Sequence, residues 1–259
     1  MIYVCIPSHN EAPTVGLLLW KIRQVFTAFP REYQLIVADD GSTDSTAEVL
    51  APYARVLPLT IVTHPARLGY AATVEELLRI AVERTDRPKR DCAIVMHADF
   101  AHDAAALPDL VRRIESGADL VVAEGELAGE PSRARRLLRR WAPLLLRGRI
   151  SVPGVHDLVS GFAAFRLVTL RNALKAEPGR LLHTEGWAAN AELLGRTARL
   201  ARRIESVCVT ERHDRRHRGS RVDPWLTARE IWRSRGRLEV PPLPASAAAP
   251  PEAAAMKAV

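Results

Sequence analysis

The chain has few cysteines, few aromatic residues and no long apolar run. Its cysteines, Cys5, Cys92 and Cys208, stand far apart and form no C-x-x-C pair. This spacing argues against a disulfide scaffold or a zinc ribbon and indicates a reducing compartment. No segment approaches the roughly 20 apolar residues that a membrane-spanning helix needs. Because no basic segment precedes the first apolar run, we expect no signal peptide and a cytoplasmic location.

Acidic residues are outnumbered by basic ones, 30 Asp and Glu against 37 Lys and Arg, which gives a net charge of +7. A basic balance suits nucleic acid, an anionic membrane surface or a phosphorylated substrate. Aromatic residues make up only 5% of the chain, and no recognised nucleic-acid-binding motif is present, so we expect no nucleic-acid partner. The absence of G-x-G-x-x-G and Walker A sequences also argues against a dinucleotide dehydrogenase and a P-loop enzyme.

Apolar patterning predicts strands that alternate with amphipathic helices. Such alternation is typical of βαβ units, in which a mostly parallel sheet is covered by helices on both faces. Ser42 or Thr43 is the expected N-cap of the second helix. A strand or turn followed by a helix is expected within 157–175, and further helices at 132–147 and 224–235. The remaining predicted strands are 2–7, 34–38, 59–62, 92–96, 119–123 and 203–209, and the remaining helices are 13–29, one ending near 53, 71–84, 110–116 and 185–200.

Three polar clusters follow predicted strands: S-H-N-E at 8–11, D-D-G-S-T-D at 39–44 and H-A-D at 97–99. In a doubly wound sheet, ligands bind beyond the carboxyl ends of the strands, so all three clusters should face one crevice. Carboxylates alone would repel a diphosphate. They suit a nucleotide if they accept hydrogen bonds from base or ribose and hold a divalent cation that bridges the phosphates.

Four segments carry a resemblance: V-C-I-P-S-H-N-E, V-A-D-D-G-S-T-D-S-T, M-H-A-D-F-A-H-D and D-L-V-S-G-F-A-A-F-R. In this order they resemble the family 2 glycosyltransferases of the GT-A fold, and most closely the dolichol-phosphate or polyprenyl-phosphate mannose synthases. The resemblance covers about residues 2–210. It implies a single α/β domain, and an inverting enzyme that transfers sugar from a nucleotide-diphosphate sugar to a polyprenyl phosphate, using Mg²⁺ or Mn²⁺. We accordingly divide the chain into a glycosyltransferase domain at 1–210, a basic loop and amphipathic helix at 211–239, and a Pro/Ala-rich disordered tail at 240–259.

The resemblance also implies roles for individual residues. Catalysis falls to Asp99, Glu185 and Glu192, and metal binding to Asp99 and His97. Acceptor or phosphate binding falls to Arg133, Arg149, Asp157, Ser160, Gly161 and Arg218. Nucleotide-sugar binding falls to Pro7, His9, Glu11, Asp39, Asp40, Arg67, Gly69, His97 and Asp99.

The third motif departs from the family pattern, because His97 stands in place of the first acid of D-x-D and Ala101 in place of a Gln or Ser. A neutral imidazole suits Mn²⁺ better than Mg²⁺. Two arrangements stay open: His97 binds the metal, or Asp99, donor phosphates and water bind it while His97 contacts ribose. His102 and Asp103 are possible substitutes.

Two basic segments, 132–149 and 212–221, stand apart from these motifs. The first places leucines at helical spacing among arginines, which suits either a helix at an anionic membrane surface or a helix packed on the sheet. The second suits binding of donor phosphates or a solvated loop. The substrate class also stays open: a soluble hydroxyl acceptor would require Glu185 or Glu192 as a base, and His97 leaves a non-catalytic nucleotide-sugar binder as an alternative.

Overall fold

One seven-stranded sheet organises the protein, which is described here from a computed structural model. The structure describes residues 1–100, 102–128, 150, 152–159, 161–177, 179–212 and 229. The strands lie in the order β3-β2-β1-β4-β6-β5-β7. They are β1 (Ile2–Ser8), β2 (Tyr33–Asp40), β3 (Leu59–His64), β4 (Cys92–Val95), β5 (Leu120–Ala128), β6 (Ala163–Arg166) and β7 (Ile204–Arg212).

Most strand pairs in this sheet are parallel, as expected. β1 pairs in parallel with β2 and β4, β2 with β3, and β5 with β7. The exception is β6, which runs antiparallel between β4 and β5. Its four residues, A-A-F-R, are too few to show a strand period, which explains why the sequence predicts either a strand or a turn before the helix within 157–175.

Helices cover both faces of the sheet. One face buries Leu18, Leu19 and Ile22 of the first helix together with Leu110 of the fourth, and the opposite face buries Leu77 of the third. Removing each of these side chains from water stabilises the fold by about 2 kcal/mol. The helices are α1 (Ala12–Ala28), α2 (Thr46–Tyr53), α3 (Tyr70–Arg84), α4 (Leu107–Glu115), α5 (Leu167–Ala176) and α6 (Trp187–Ala198).

The observed bounds correct several sequence expectations. β5 and β7 are longer than expected, because they pair in parallel along nine residues each. As a result β7 crosses the expected domain boundary at residue 210. The expected N-cap of α2 is wrong: Ser42 Oγ accepts a hydrogen bond from the Asn10 amide, and Asp44 accepts from the Thr46 amide at the start of α2 instead.

The predicted helix at 132–147, the predicted helix at 224–235 apart from Arg229, and the tail from residue 240 lie outside the described residues. Within the part of the chain that the structure describes, no helix combines the length and apolar character needed to span a bilayer.

Candidate active site

Four loops meet at the carboxyl edge of the sheet, because β3, β2, β1 and β4 are neighbours and run in parallel. We name them loop 1 (8–11), loop 2 (39–44), loop 3 (65–69) and loop 4 (97–100). They contain the three polar clusters singled out from the sequence. The structure therefore brings the S-H-N-E, D-D-G-S-T-D and H-A-D segments to one edge.

Side chains join loop 1 to loop 2. The Asn10 amide donates to Ser42 Oγ at 2.8 Å, and Asn10 Oδ1 accepts from the Thr43 amide at 2.7 Å. His9 Nδ1 lies 2.7 Å from the Asp40 carbonyl oxygen. Asn10 has a φ of 54°, in the left-handed region that asparagine tolerates better than most residues. Hydrogen bonds within the chain thus hold these two loops together as one unit.

Glu11 is buried where loop 1 enters α1, directly after Pro7 and His9 in the first motif. Its amide donates to Thr46 Oγ1, and its carboxylate accepts from the Thr14 hydroxyl at 2.9 Å. The Glu11 side chain thereby also stabilises the start of α1, in addition to any contact with a nucleotide that the resemblance implies.

The two aspartates of loop 2, Asp39 and Asp40, bind different segments of backbone. Asp39 Oδ1 accepts from the Ser42 amide within loop 2. Asp40 reaches across to loop 3, where it accepts from the amides of Leu68 at 2.7 Å and Gly69 at 3.0 Å. Burial alone would raise the pKa of Asp40, but hydrogen bonds from His64, Leu68 and Gly69 outweigh burial and lower it. Asp40 is therefore an ionised anchor for loop 3.

Loop 3 also packs directly on the backbone of loop 2. Gly41 has a φ of 62°, and a Cβ there would lie 2.6 Å from the backbone nitrogen of Arg67. Only glycine permits this approach. Arg67 is exposed on loop 3, so its guanidinium is available at the carboxyl edge.

His64 was missed by sequence analysis, although it pairs with Asp40 in the register of β2 and β3. It is buried, with Nδ1 2.9 Å from Asp40 Oδ1 and Nε2 2.7 Å from Glu76 Oε2. Burial lowers the pKa of His64, but the two carboxylates outweigh burial and raise it. Only an imidazolium can donate from both nitrogens. The signal available in the sequence was a polar residue at the end of a predicted strand.

His97 in loop 4 packs among residues from three other segments. Its ring stacks on Tyr70 with centroids 5.3 Å apart, and Tyr70 donates to Asn190 Oδ1 at 2.7 Å. Gly161 has a φ of 69°; a Cβ there would overlap His97 Nε2 and lie 2.7 Å from Asn190 Nδ2. Gly161 thus provides the space that His97 and Asn190 fill. Tyr70 and Asn190 were not predicted, because no motif contains them.

Asp99 lies close to the same tyrosine. Burial raises the pKa of Tyr70, and the negative charges of Asp99 and Glu185 raise it further. Asp99 is half-buried and precedes Phe100, which has a φ of 61°. A positive φ is rare for an aromatic residue, and here it marks a sharp turn directly after the carboxylate.

The donor set fits a divalent cation that a substrate helps to hold. Among the described residues, no three His, Cys, Asp or Glu side chains form a cluster able to bind a metal by themselves. Asp99 offers a carboxylate and His97 an imidazole. Mg²⁺ is commonly held by one or two carboxylates together with substrate phosphates and water, so a partial protein shell of this kind is sufficient.

Glu185 and Glu192, the two other expected catalytic residues, occupy different environments. Glu185 is half-exposed, and its Oε2 accepts from the Ala71 amide at the start of α3. Glu192 is fully buried, and its oxygens accept from the amides of His183 and Thr184 and from Arg196. The structure brings Glu185 to the carboxyl edge, whereas the position of Glu192 favours a structural role.

The expected acceptor residues are described only in part. Asp157 is buried and accepts from the Val159 amide at 3.1 Å, and Gly161 packs against His97 as described above. The other expected acceptor and phosphate residues, Arg133, Arg149, Ser160 and Arg218, lie outside the described residues.

Comparison with known proteins identifies the family of this chain. Residues 3–172 match the family described as Glycosyl transferase family 2. The chain belongs to this family. Its curated relatives include the undecaprenyl-phosphate mannosyltransferase of Micrococcus luteus, 28% identical over 79% of this chain and 81% of the relative. Another is the dolichol-phosphate mannosyltransferase of Pyrococcus furiosus, 26% identical over 63% of this chain but only 45% of the relative.

Solved structures of two other proteins share the fold. Glucosyl-3-phosphoglycerate synthase of Mycobacterium tuberculosis, solved with Mn²⁺, UDP-glucose and phosphoglyceric acid, superposes with a TM-score of 0.61 at 21% identity, over 93% of this chain and 81% of that one. Staphylococcus aureus TarS with UDP-GlcNAc gives 0.59 at 16% identity, over 92% and 66%. The expected glycosyltransferase family and GT-A fold are both confirmed.

Proposed function

We propose that this protein is an inverting glycosyltransferase that moves a sugar from a nucleotide-diphosphate sugar to a polyprenyl phosphate. The observation that carries the proposal is that the three polar clusters lie at one carboxyl edge of the sheet, with loops 1 to 3 bonded to one another. The names of two curated relatives, which specify dolichol phosphate and undecaprenyl phosphate, support the acceptor class.

The nucleotide binds against loops 1 and 2, where His9 and Asp39 offer contacts to base and ribose. Arg67 on loop 3 provides a cation for the phosphates. Asp99 and His97 hold Mg²⁺ or Mn²⁺ in this proposal, and the ion supplies charge neutralisation for the departing diphosphate. Because hydrogen bonds within the chain join loops 1 to 3 to one another, the site is preorganised and little ordering is needed when the donor binds.

The acceptor determines whether a base is needed. The oxygen of a polyprenyl phosphate is already anionic, so it can attack the anomeric carbon without losing a proton to the enzyme. What it requires is positive charge, which the expected acceptor residues Arg133, Arg149 and Arg218 supply in this proposal. The basic segment 132–149 would also hold the enzyme at the anionic membrane surface where such lipids reside, as a peripheral protein on the cytoplasmic face.

A hydroxyl acceptor is the second candidate, and the position of Glu185 favours it. This carboxylate is half-exposed and lies at the start of α3, where its Oε2 accepts from the Ala71 amide. A hydroxyl must lose a proton as it attacks, and removal of the general base would lower the rate by about 100-fold or more. A lipid phosphate acceptor would make Glu185 far less important.

Steady-state kinetics with a short-chain polyprenyl phosphate and a panel of nucleotide-sugars tests the proposal, with Mn²⁺ and Mg²⁺ compared. We expect Arg133→Ala and Arg149→Ala to raise the apparent acceptor KM strongly, and Glu185→Gln to lower kcat by less than ~100-fold. Arg55→Ala, an exposed arginine at the end of α2, is the matched control. A collapse of kcat in Glu185→Gln, with both arginine variants unaffected, would assign the enzyme to hydroxyl acceptors.

A further inference from the structure

Glu75 on α3 binds the backbone of a segment that lies more than 100 residues further along the chain. Its side chain is buried, and Oε2 accepts from the amides of Leu181 at 2.9 Å and Leu182 at 3.0 Å. The other oxygen, Oε1, accepts from Arg79 one turn along α3, and Arg79 also donates to the Gly179 carbonyl oxygen. Neither motif analysis nor the proposed chemistry uses Glu75.

Glu192 on α6 repeats the same arrangement for the next two residues. Its Oε2 accepts from the amides of His183 at 2.8 Å and Thr184 at 3.0 Å, and from the Thr184 hydroxyl at 2.9 Å. Oε1 accepts from Arg196, again one turn along the same helix, and Arg196 also pairs with Glu177.

Four successive amides, those of residues 181–184, therefore bind two buried glutamates that belong to two different helices. Burying a carboxylate costs several kcal/mol unless hydrogen bonds and a counter-charge compensate. Each glutamate has both, from two amides and an arginine. Burial would raise the pKa of Glu75, but the bonds from Leu181, Leu182 and Arg79 outweigh burial and lower it. Two buried glutamate side chains thus specify the path of one short segment.

The residue that follows this segment is Glu185. Its Oε2 accepts from the Ala71 amide at 3.2 Å, and a Cβ on Gly69 would lie 3.2 Å from its carboxylate oxygens. Glu185 is therefore held between loop 3 and the start of α3, and Arg180 Nη2 lies 3.7 Å from its Oε1. Its placement depends on how residues 181–184 are fixed.

We propose that Glu75 and Glu192 are positioning residues, which fix residues 181–184 between α3 and α6 and thereby set the Glu185 carboxylate against loop 3 at the carboxyl edge. Neither glutamate contacts substrate; both act through Glu185. The consequence for turnover rests on the proposed function, whereas the positioning itself does not.

Amide hydrogen exchange, read residue by residue by NMR, tests the positioning directly. The Ala71 amide lies in the first turn of α3, where amides have no acceptor within the helix, so its protection reports the position of Glu185. In Glu75→Gln and Glu192→Gln we expect the amides of 181–184 and of Ala71 to exchange about tenfold faster or more, as after losing a hydrogen bond to a charged group. Ala71 should match its rate in Glu185→Gln.

Internal and external controls separate this outcome from general destabilisation. The Thr73 amide, which donates to the Gly69 carbonyl oxygen, should keep its protection, and Glu83→Gln, an exposed change on α3, should change nothing. Unaltered exchange at Ala71 in a variant that exchanges faster at 181–184 would overturn the proposal. If Glu75→Gln does not fold, Arg79→Lys weakens the same contact more mildly, and the same pattern, smaller in size, is required of it.

Kinetics then distinguish this proposal from the proposed function. With an active wild-type enzyme, Glu75→Gln should lower kcat by the same factor as Glu185→Gln and leave the donor KM unchanged. The double variant should be no slower than Glu185→Gln alone, since both changes act through one carboxylate. Additive losses would contradict the coupling. A wild-type protein inactive with every donor and acceptor would contradict the proposed function and leave the exchange result to decide the positioning.

Discussion

The two sides of the carboxyl edge are built in different ways. On the donor side, loops 1 and 2 are held by residues within the motifs themselves, such as Asn10, Ser42 and Asp39. At residues 181–185 the backbone is held by Glu75 and by a helix that follows. The first arrangement is local to the motifs, and the second depends on tertiary packing. A change in loops 1 and 2 should affect ligand binding, and a change in the contacts to residues 181–185 should affect the placement of Glu185.

Among substitutions on the donor side, we expect Asp99→Asn to have the largest effect on kcat. If this carboxylate holds a cation, its loss removes several kcal/mol of charge stabilisation, and kcat should fall about a thousandfold or more. The fold should be unaffected, because the change is nearly isosteric. The measurement is the transfer rate beside the thermal midpoint Tm, with and without Mn²⁺.

The matched control for that change is Asp86→Asn, which alters an acid exposed over 83% of its side chain and should leave both the rate and Tm unchanged. A near-normal rate in Asp99→Asn, or equal responses of the two variants to Mn²⁺, would remove Asp99 from the metal site.

The difference in construction also explains what the sequence could and could not predict. The parallel pairing of the strands and the position of the three polar clusters at one edge follow from the βαβ pattern alone. Asp40, His64 and Tyr70 show the limit of such reasoning. The sequence places Asp40 in a motif but does not show that it anchors loop 3. It does not single out His64 or Tyr70, because their partners lie on other elements.

The same limit applies to the sheet and to Glu192. Antiparallel β6 is too short for a period, and its neighbours β4 and β5 are set by tertiary pairing. Glu192 occupies a position that the resemblance links to catalysis, but its burial and its bonds to residues 183 and 184 could be read only from coordinates. Motif position alone does not distinguish a buried support from a group that contacts substrate.

Two glycines with similar φ values allow the cost of a left-handed backbone to be separated from the cost of close packing against His97. Gly154 and Gly161 have φ values of 72° and 69°, but a Cβ on Gly154 meets no atom within 4 Å, whereas one on Gly161 overlaps His97. Alanine at either position costs about 1 to 2 kcal/mol for the left-handed conformation. Gly161→Ala should cost about 1 to 3 kcal/mol more, because His97 and Asn190 must move.

Denaturant unfolding of the two alanine variants measures this difference in free energy. Equal losses of stability would show that His97 and Asn190 rearrange without cost, and the space beside Gly161 would then have no part in placing His97. A larger loss in Gly161→Ala, together with weaker binding of UDP, would show that packing from the far side supports loop 4.

The smallest expected effect is the pH dependence given by His64, which joins loop 2 to α3. Because the pKa of His64 in the folded protein is raised above its ordinary 6.5, its bonds to Asp40 and Glu76 stabilise the fold fully below about pH 6.5, and this contribution disappears as the pH rises through the raised pKa. His64→Gln should therefore be less stable than wild type by about 1 to 2 kcal/mol at pH 6, and the gap should narrow by pH 9. The other titratable groups are common to both proteins, so their contributions cancel in the difference. His156→Gln, which changes an exposed histidine, should show no such trend. A gap that stays constant from pH 6 to pH 9 would mean that His64 is neutral in the fold, and the link between α3 and loop 2 would then rest on the Asp40 bonds to loop 3 alone.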